Sequence, residues 1–135
     1  MTPRTMRRIY LREAAIMLML ARLAVRVLPS AWLLRWADRP MKTVCRFPRN
    51  DVAWTTWAIE HTANRQGAVP QCLPRALAAH GMLRRRGIAS KLCLGVARNG
   101  DHIIAHAWIE VGSRKLVGGE ETERFTPLAA FGGTR

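Results

Sequence analysis

The sequence predicts an α+β fold in which helices come first and a last helix packs on a small antiparallel sheet. Three observations carry this expectation. Apolar side chains recur at helical spacing over residues 8–28 and again from residue 51 to Gly67. The run "CLPRALAAHGMLRRRG" has Pro74 in its first turn and Gly87 as a stop. After residue 90 the period drops to two, and turn residues separate the runs.

Taken in order, "RIYLREAAIMLMLARLAVRVL" (8–28) predicts one long helix that Pro29 ends. Ser30 reads as the N-cap of a short second helix over 30–37. Arg39-Pro40 and "RFPRND" (46–51) are loops, and Asp51 caps a third helix that closes at Gly67. Within it Trp54, Trp57, Ala58 and His61 share helical spacing, which favours core packing over a ligand-binding aromatic wall. The fourth helix begins at Cys72, and Arg84, Arg85 and Arg86 complement its negative end.

Strands are expected over 90–97 and 102–111, joined by "RNGD", with a third at "KLVGG". In the first, Leu92, Leu94 and Val96 share one face, and Cys93 and Gly95 the other. In the second, Ile103, Ala105, Ala107, Ile109 and Val111 oppose His102, Ile104, His106, Trp108 and Glu110. "ETERFTPLAAFGGTR" reads as a short closing segment with a frayed end. The chain divides into an N-terminal helical part (1–67) and a helix-and-sheet core (68–135), together a single domain.

With 49% hydrophobic and 23% charged residues, the composition argues against disorder. The net charge of +13 favours acidic partners. No zinc-finger spacing, aromatic RNA-binding string or basic zipper accompanies it, so nucleic acid is not an expected partner. Cys45, Cys72 and Cys93 form no CxxC pair, and the four histidines form no HExxH. This weighs against disulfides and metal; neither a metal nor a cofactor is expected. "AAIMLMLA" (14–21) is interrupted by Arg22 and Arg26, well short of the roughly 20 apolar residues of a membrane span. It predicts a core helix rather than a targeting segment, with lying on a membrane surface the minor alternative, and the cysteine usage points to a cytoplasmic location.

The chemistry centres on Cys72. A thiol at a helix start feels the positive end of the helix dipole, which favours the thiolate. His106 lies on a strand of the sheet against which that helix is expected to pack. A thiol and an imidazole so placed are the arrangement of a cysteine hydrolase or acyltransferase. The thiolate attacks a carbonyl, and the imidazolium returns a proton to the leaving amine. Backbone amides at the helix start, that of Cys72 included, supply an oxyanion hole. Cys45 and Cys93 begin no helix and are assigned to the structure. His80, two turns along from Cys72, is too far away to act on it.

"CLPRAL", "LRRRGI", "LGVAR" and "AHAWIEV", in this order and at these intervals, resemble the bacterial transglutaminase-like cysteine peptidases. More narrowly, they are similar to the lasso peptide biosynthesis B2 proteins, the leader peptidases of those clusters. "YLREAAIMLMLARLAVRVLP" is similar too, so the resemblance covers nearly the whole chain. It implies a transglutaminase-like, papain-like core that removes the leader from a ribosomally made precursor peptide. The implied partners are a separate leader-binding B1 protein and the lasso cyclase. By the same resemblance Cys72 is the nucleophile and His106 the base.

The third catalytic member departs from the pattern. Transglutaminase-like enzymes place an aspartate on the strand after the histidine, where this chain has "KLVGGEET". Glu120 is the preferred substitute and Asp101 its rival; a dyad helped by a backbone or amide group is the other option. Glu110 shares the His106 face, but four residues along a strand is roughly 13 Å. Gln66, six residues before Cys72, has the spacing of a papain-like oxyanion-hole glutamine, against a plain loop role. Trp108 flanks the site and is expected to pack. Two other functions compete. One is a transglutaminase-like scaffold that docks a peptide without cleaving it, supported by the missing aspartate. The other is a basic protein that binds membrane surfaces or nucleic acid.

Overall fold

The computed structural model describes residues 2–44, 48–65, 72–117 and 124–133. Four helices precede a four-stranded antiparallel sheet: α1 (Pro3–Val27), α2 (Ser30–Ala37), α3 (Pro48–Arg65), α4 (Cys72–Arg85), β1 (Lys91–Asn99), β2 (His102–Val111), β3 (Arg114–Leu116) and β4 (Thr126–Gly132).

α1 starts five residues before the expected Arg8 because Thr2-Pro3 is itself a start signal. The Thr2 hydroxyl accepts the Thr5 N–H at 3.2 Å, and Pro3 has no N–H to leave unpaired. Tyr10, Ala14, Leu18 and Ala21 form its buried stripe. α2 begins at Ser30 as its first helical residue; Pro29, not Ser30, is the N-cap, and no side chain caps it. α3 likewise begins early, at Pro48, so Asp51 falls within the first turn. The carboxylate of Asp51 instead accepts the Tyr10 hydroxyl at 2.8 Å, joining α1 to α3.

α4 is the central element. Nine of its residues are buried, Pro74 and then Ala76 through Leu83, so neighbours cover it nearly all round. Its end is closed by Gly87, whose φ of 74° suits the left-handed cap; the Ile88 N–H returns to Leu83 O at 2.9 Å. The arginines that follow are used inside the molecule. Arg85 and Arg86 both pair with Glu13 of α1, and Arg86 lies over the Tyr10 ring at 4.2 Å.

His80 ties four parts of the chain together. It is 1% exposed. Its Nε2–H donates to Ala37 O at 2.9 Å, and its Nδ1 accepts from the Ser90 hydroxyl at 2.6 Å. The bond from Ser90 requires an unprotonated Nδ1 and hence the neutral ring. Burial, with the nearby Arg84 charge second, pushes its pKa down to about 4. Gly132, at the end of β4, closes against the same node. A Cβ there would meet Ala37 O at 2.6 Å, and the Gly132 N–H donates to Asp38 Oδ1 at 3.0 Å.

The sheet order is β3-β2-β1-β4. β1 and β2 pair from Lys91↔Glu110 to Asn99↔His102, as the turn chemistry of "RNGD" predicts. The chain end differs from expectation: its closing segment is a strand, β4, paired with β1 and irregular between Leu94 and Gly95, where Pro127 sits. β3 pairs only with residues 109–111 and ends at Leu116, short of the expected "KLVGG".

Buried side chains lie on both faces of the sheet. Leu92, Ala107 and Ile109 join the main core with α1, α3 and α4. Cys93, Ala97 and Trp108 form a second, smaller cluster with Phe125. The apolar face expected on β2 therefore divides: Ala107 and Ile109 are buried, whereas Ile103 and Ala105 are exposed.

Candidate active site

Cys72 is the first residue of α4, half-buried and in the reduced form. The first-turn N–H groups of a helix have no partner within it, so the thiol stands beside donors that the helix itself does not use. His106 lies in β2 beyond the reach of the short β3. These two elements meet at a cavity of about 290 Å³ lined by Cys72, Arg75, Ile104, Ala105, His106, Val117 and Phe125. The thiol and the imidazole predicted from sequence thus share one cleft.

Aromatic rings hold the imidazole. The His106 ring lies 5.0 Å from that of Phe125 and 6.0 Å from that of Trp108, at small interplanar angles. Trp108 is fully buried, and its Nε1–H points to Glu110 Oε1 at 3.4 Å. Trp108 therefore packs, as expected, and what it packs against is the candidate base. Glu110 is turned to Trp108 rather than to the cavity.

Arg75, one turn into α4, supplies a charge to the cleft. It donates to Glu60 Oε2 at 2.8 Å, and among the described residues Glu60 Oε1 and Arg75 Nε have no hydrogen-bond partner. No carboxylate is among the described residues that line the cavity. The cleft thus presents one cation, one imidazole, one thiol and apolar walls, an environment suited to a peptide carbonyl.

The remaining predicted residues divide clearly. Asp101 is exposed in the β1–β2 turn and does not line the cavity. Glu120, Gln66 and Cys45 lie outside the described residues. Cys93 is buried opposite Trp108, and burial, with Glu110 second, pushes its thiol up to about 12. It is a protonated core residue. His80 is spent on Ala37 and Ser90.

Sequence reasoning missed Arg75, Val117 and Phe125 as cavity walls. Arg75 had a local signal, since it lies three residues after Cys72 and so on the same helix face. Val117 and Phe125 had none, because strand pairing places them at the cavity. Among the described residues no group of three histidine, cysteine or acidic side chains is placed to hold a metal ion, and no helix is long and apolar enough to cross a membrane.

No curated protein and no solved structure matches the chain. The family model described as "Transglutaminase-like superfamily" matches residues 15–130. That match runs from the middle of α1 into β4 and takes in both Cys72 and His106, and the chain belongs to this superfamily.

Proposed function

We propose that this protein is a cysteine peptidase that removes the leader from a ribosomally made lasso peptide precursor, working in the cytoplasm with a separate leader-binding protein. The observation that carries the reading is the cavity shared by Cys72 and His106 at the start of α4. The narrower substrate assignment is supported by the motifs "CLPRAL" and "AHAWIEV" and their spacing.

In this reading Cys72 Sγ attacks the scissile carbonyl, and the thiol proton passes to His106. The α4 first-turn N–H groups, that of Cys72 included, stabilise the oxyanion. Gln66 is assigned a supporting donor role there. His106 then protonates the leaving amine, which frees the core peptide for the cyclase and leaves the leader as a thioester on Cys72. Water, deprotonated by His106, cleaves the thioester and restores the thiol. Glu120 is assigned the role of orienting the imidazole.

The net charge of +13 suits an acidic partner surface or leader, with attraction felt over about a Debye length. Cleavage of a leader-bearing precursor, followed by mass spectrometry with and without the leader-binding partner across a salt series, tests the proposal. The expected result is slow cleavage alone and acceleration by the partner that weakens as salt rises. Full activity without the partner at micromolar substrate would show that this chain reads the leader by itself.

A further inference from the structure

A second cavity, of about 510 Å³, opens between the start of α1 and the middle of α3. Its walls include Arg4, Arg7, Asn50, Trp54 and Trp57, and no acidic side chain lines it among the described residues. The two indoles are held in place by their neighbours. Tyr10 stacks on Trp54 at 5.7 Å, Trp54 meets Trp57 edge-on at 5.6 Å, and His61 stacks on Trp57 at 5.2 Å. The Arg7 guanidinium stands 5.4 Å from the Trp57 ring centre. The result is an aromatic wall of mutually packed rings bordered by exposed cations.

The charges are unfavourable as they stand. The first turn of α1 carries no acid, while Arg4, Arg7 and Arg8 crowd the positive end of the helix, where an anion is favoured and a cation is not. A bound carboxylate relieves this, and the indoles offer a planar apolar surface beside it.

Position identifies the kind of ligand. Glu60, one turn beyond Trp57 on α3, holds Arg75, which lines the Cys72 cavity. From Glu60 back to Trp54 is about 9 Å of helix, which two or three extended residues span. We propose that this cavity is a second substrate-binding site, which seats a peptide segment carrying an acidic side chain next to an aromatic one. The choice of a peptide as occupant rests on the peptidase reading above.

The test is fluorescence anisotropy of a labelled hexapeptide with two glutamates flanking a phenylalanine, added to the full chain. The double variant Arg4→Gln/Arg7→Gln is expected to bind about tenfold more weakly. The same loss is expected when the peptide's glutamates are replaced by glutamine. Arg114→Gln, an exposed charge on β3, is expected to change binding by less than about twofold. Equal binding by the double variant, or an equal loss in Arg114→Gln, would overturn the proposal. Displacement of the peptide by adenosine monophosphate at matching concentration would instead identify a nucleotide site and would also overturn it. The assay reads binding, so peptide binding of the expected kind without cleavage of any leader-bearing peptide would overturn only the peptidase reading.

Discussion

Gly95 faces His106 directly across the β1–β2 ladder, and the space above Gly95 is filled by the Trp108 ring. A Cβ at position 95 would come within 2.9 Å of two Trp108 ring carbons and within 3.0 Å of Thr126 O. The glycine is there for space: Trp108 can lie flat across β1 only if its neighbour has no side chain. The position of the His106 ring, stacked on Trp108, depends on the same arrangement.

Gly95→Ala is therefore expected to destabilise the fold by about 1–3 kcal/mol through overpacking. It is also expected to lower kcat more than it raises KM, because the imidazole moves with the indole. Urea unfolding and steady-state cleavage check both effects; unchanged stability would show that Trp108 has room to shift.

The two described cysteines should differ in reactivity. Cys72 lines the cleft, whereas Cys93 is 4% exposed with its thiol pushed up to about 12. Iodoacetamide at pH 7.5, followed by peptide mapping, is expected to modify Cys72 and leave Cys93 intact. Cys93→Ala is expected to retain cleavage. Modification of Cys93 as fast as Cys72 would contradict this assignment.

Glu120→Ala is expected to reduce turnover more than Asp101→Ala, since Asp101 sits in an exposed turn away from the cavity. A kinetic comparison in which Asp101→Ala has the larger effect would move the orienting role to that residue. Equal, small effects would favour a Cys72–His106 dyad.

His80 makes stability depend on pH in a defined direction. Its folded pKa of about 4 lies below the ordinary 6.5, so on acidification the unfolded chain takes up this proton first. Its contribution is intact above about pH 6.5 and is lost as pH falls toward 4, amounting to roughly 2–3 kcal/mol by pH 4.5. Urea unfolding at pH 7 and pH 4.5 should show a larger loss for the unaltered protein than for His80→Gln. Equal losses would mean that the buried ring is not the group that titrates.

What could be read from the sequence was set by local punctuation. α4 runs from Cys72 and is closed by Gly87, and β2 lies between "RNGD" and Gly112, so both match expectation. The alternation along β2 already placed His106 and Trp108 on one face. β4 was obscured because "TPLAAFG" carries Pro127 and small side chains instead of an apolar alternation. An edge strand tolerates that proline, and its ladder bonds to β1 become visible only in three dimensions. Phe125 reaches His106 just before β4, and Val117 reaches the cavity just after β3. Trp54 and Trp57 were legible as helical spacing, but the cavity they border depends on where the first turn of α1 comes to rest.

The central claim is that Cys72 and His106 together cleave a peptide bond. Its most direct test is the cleavage rate of the leader-bearing precursor, with the leader-binding partner present, for the unaltered protein, Cys72→Ala and His106→Ala. Each variant's thermal unfolding is measured alongside. Each variant is expected to lose at least about a thousandfold in rate while its unfolding temperature stays close to that of the unaltered protein. Cleavage by a folded Cys72→Ala or His106→Ala variant at a rate near that of the unaltered protein would contradict it.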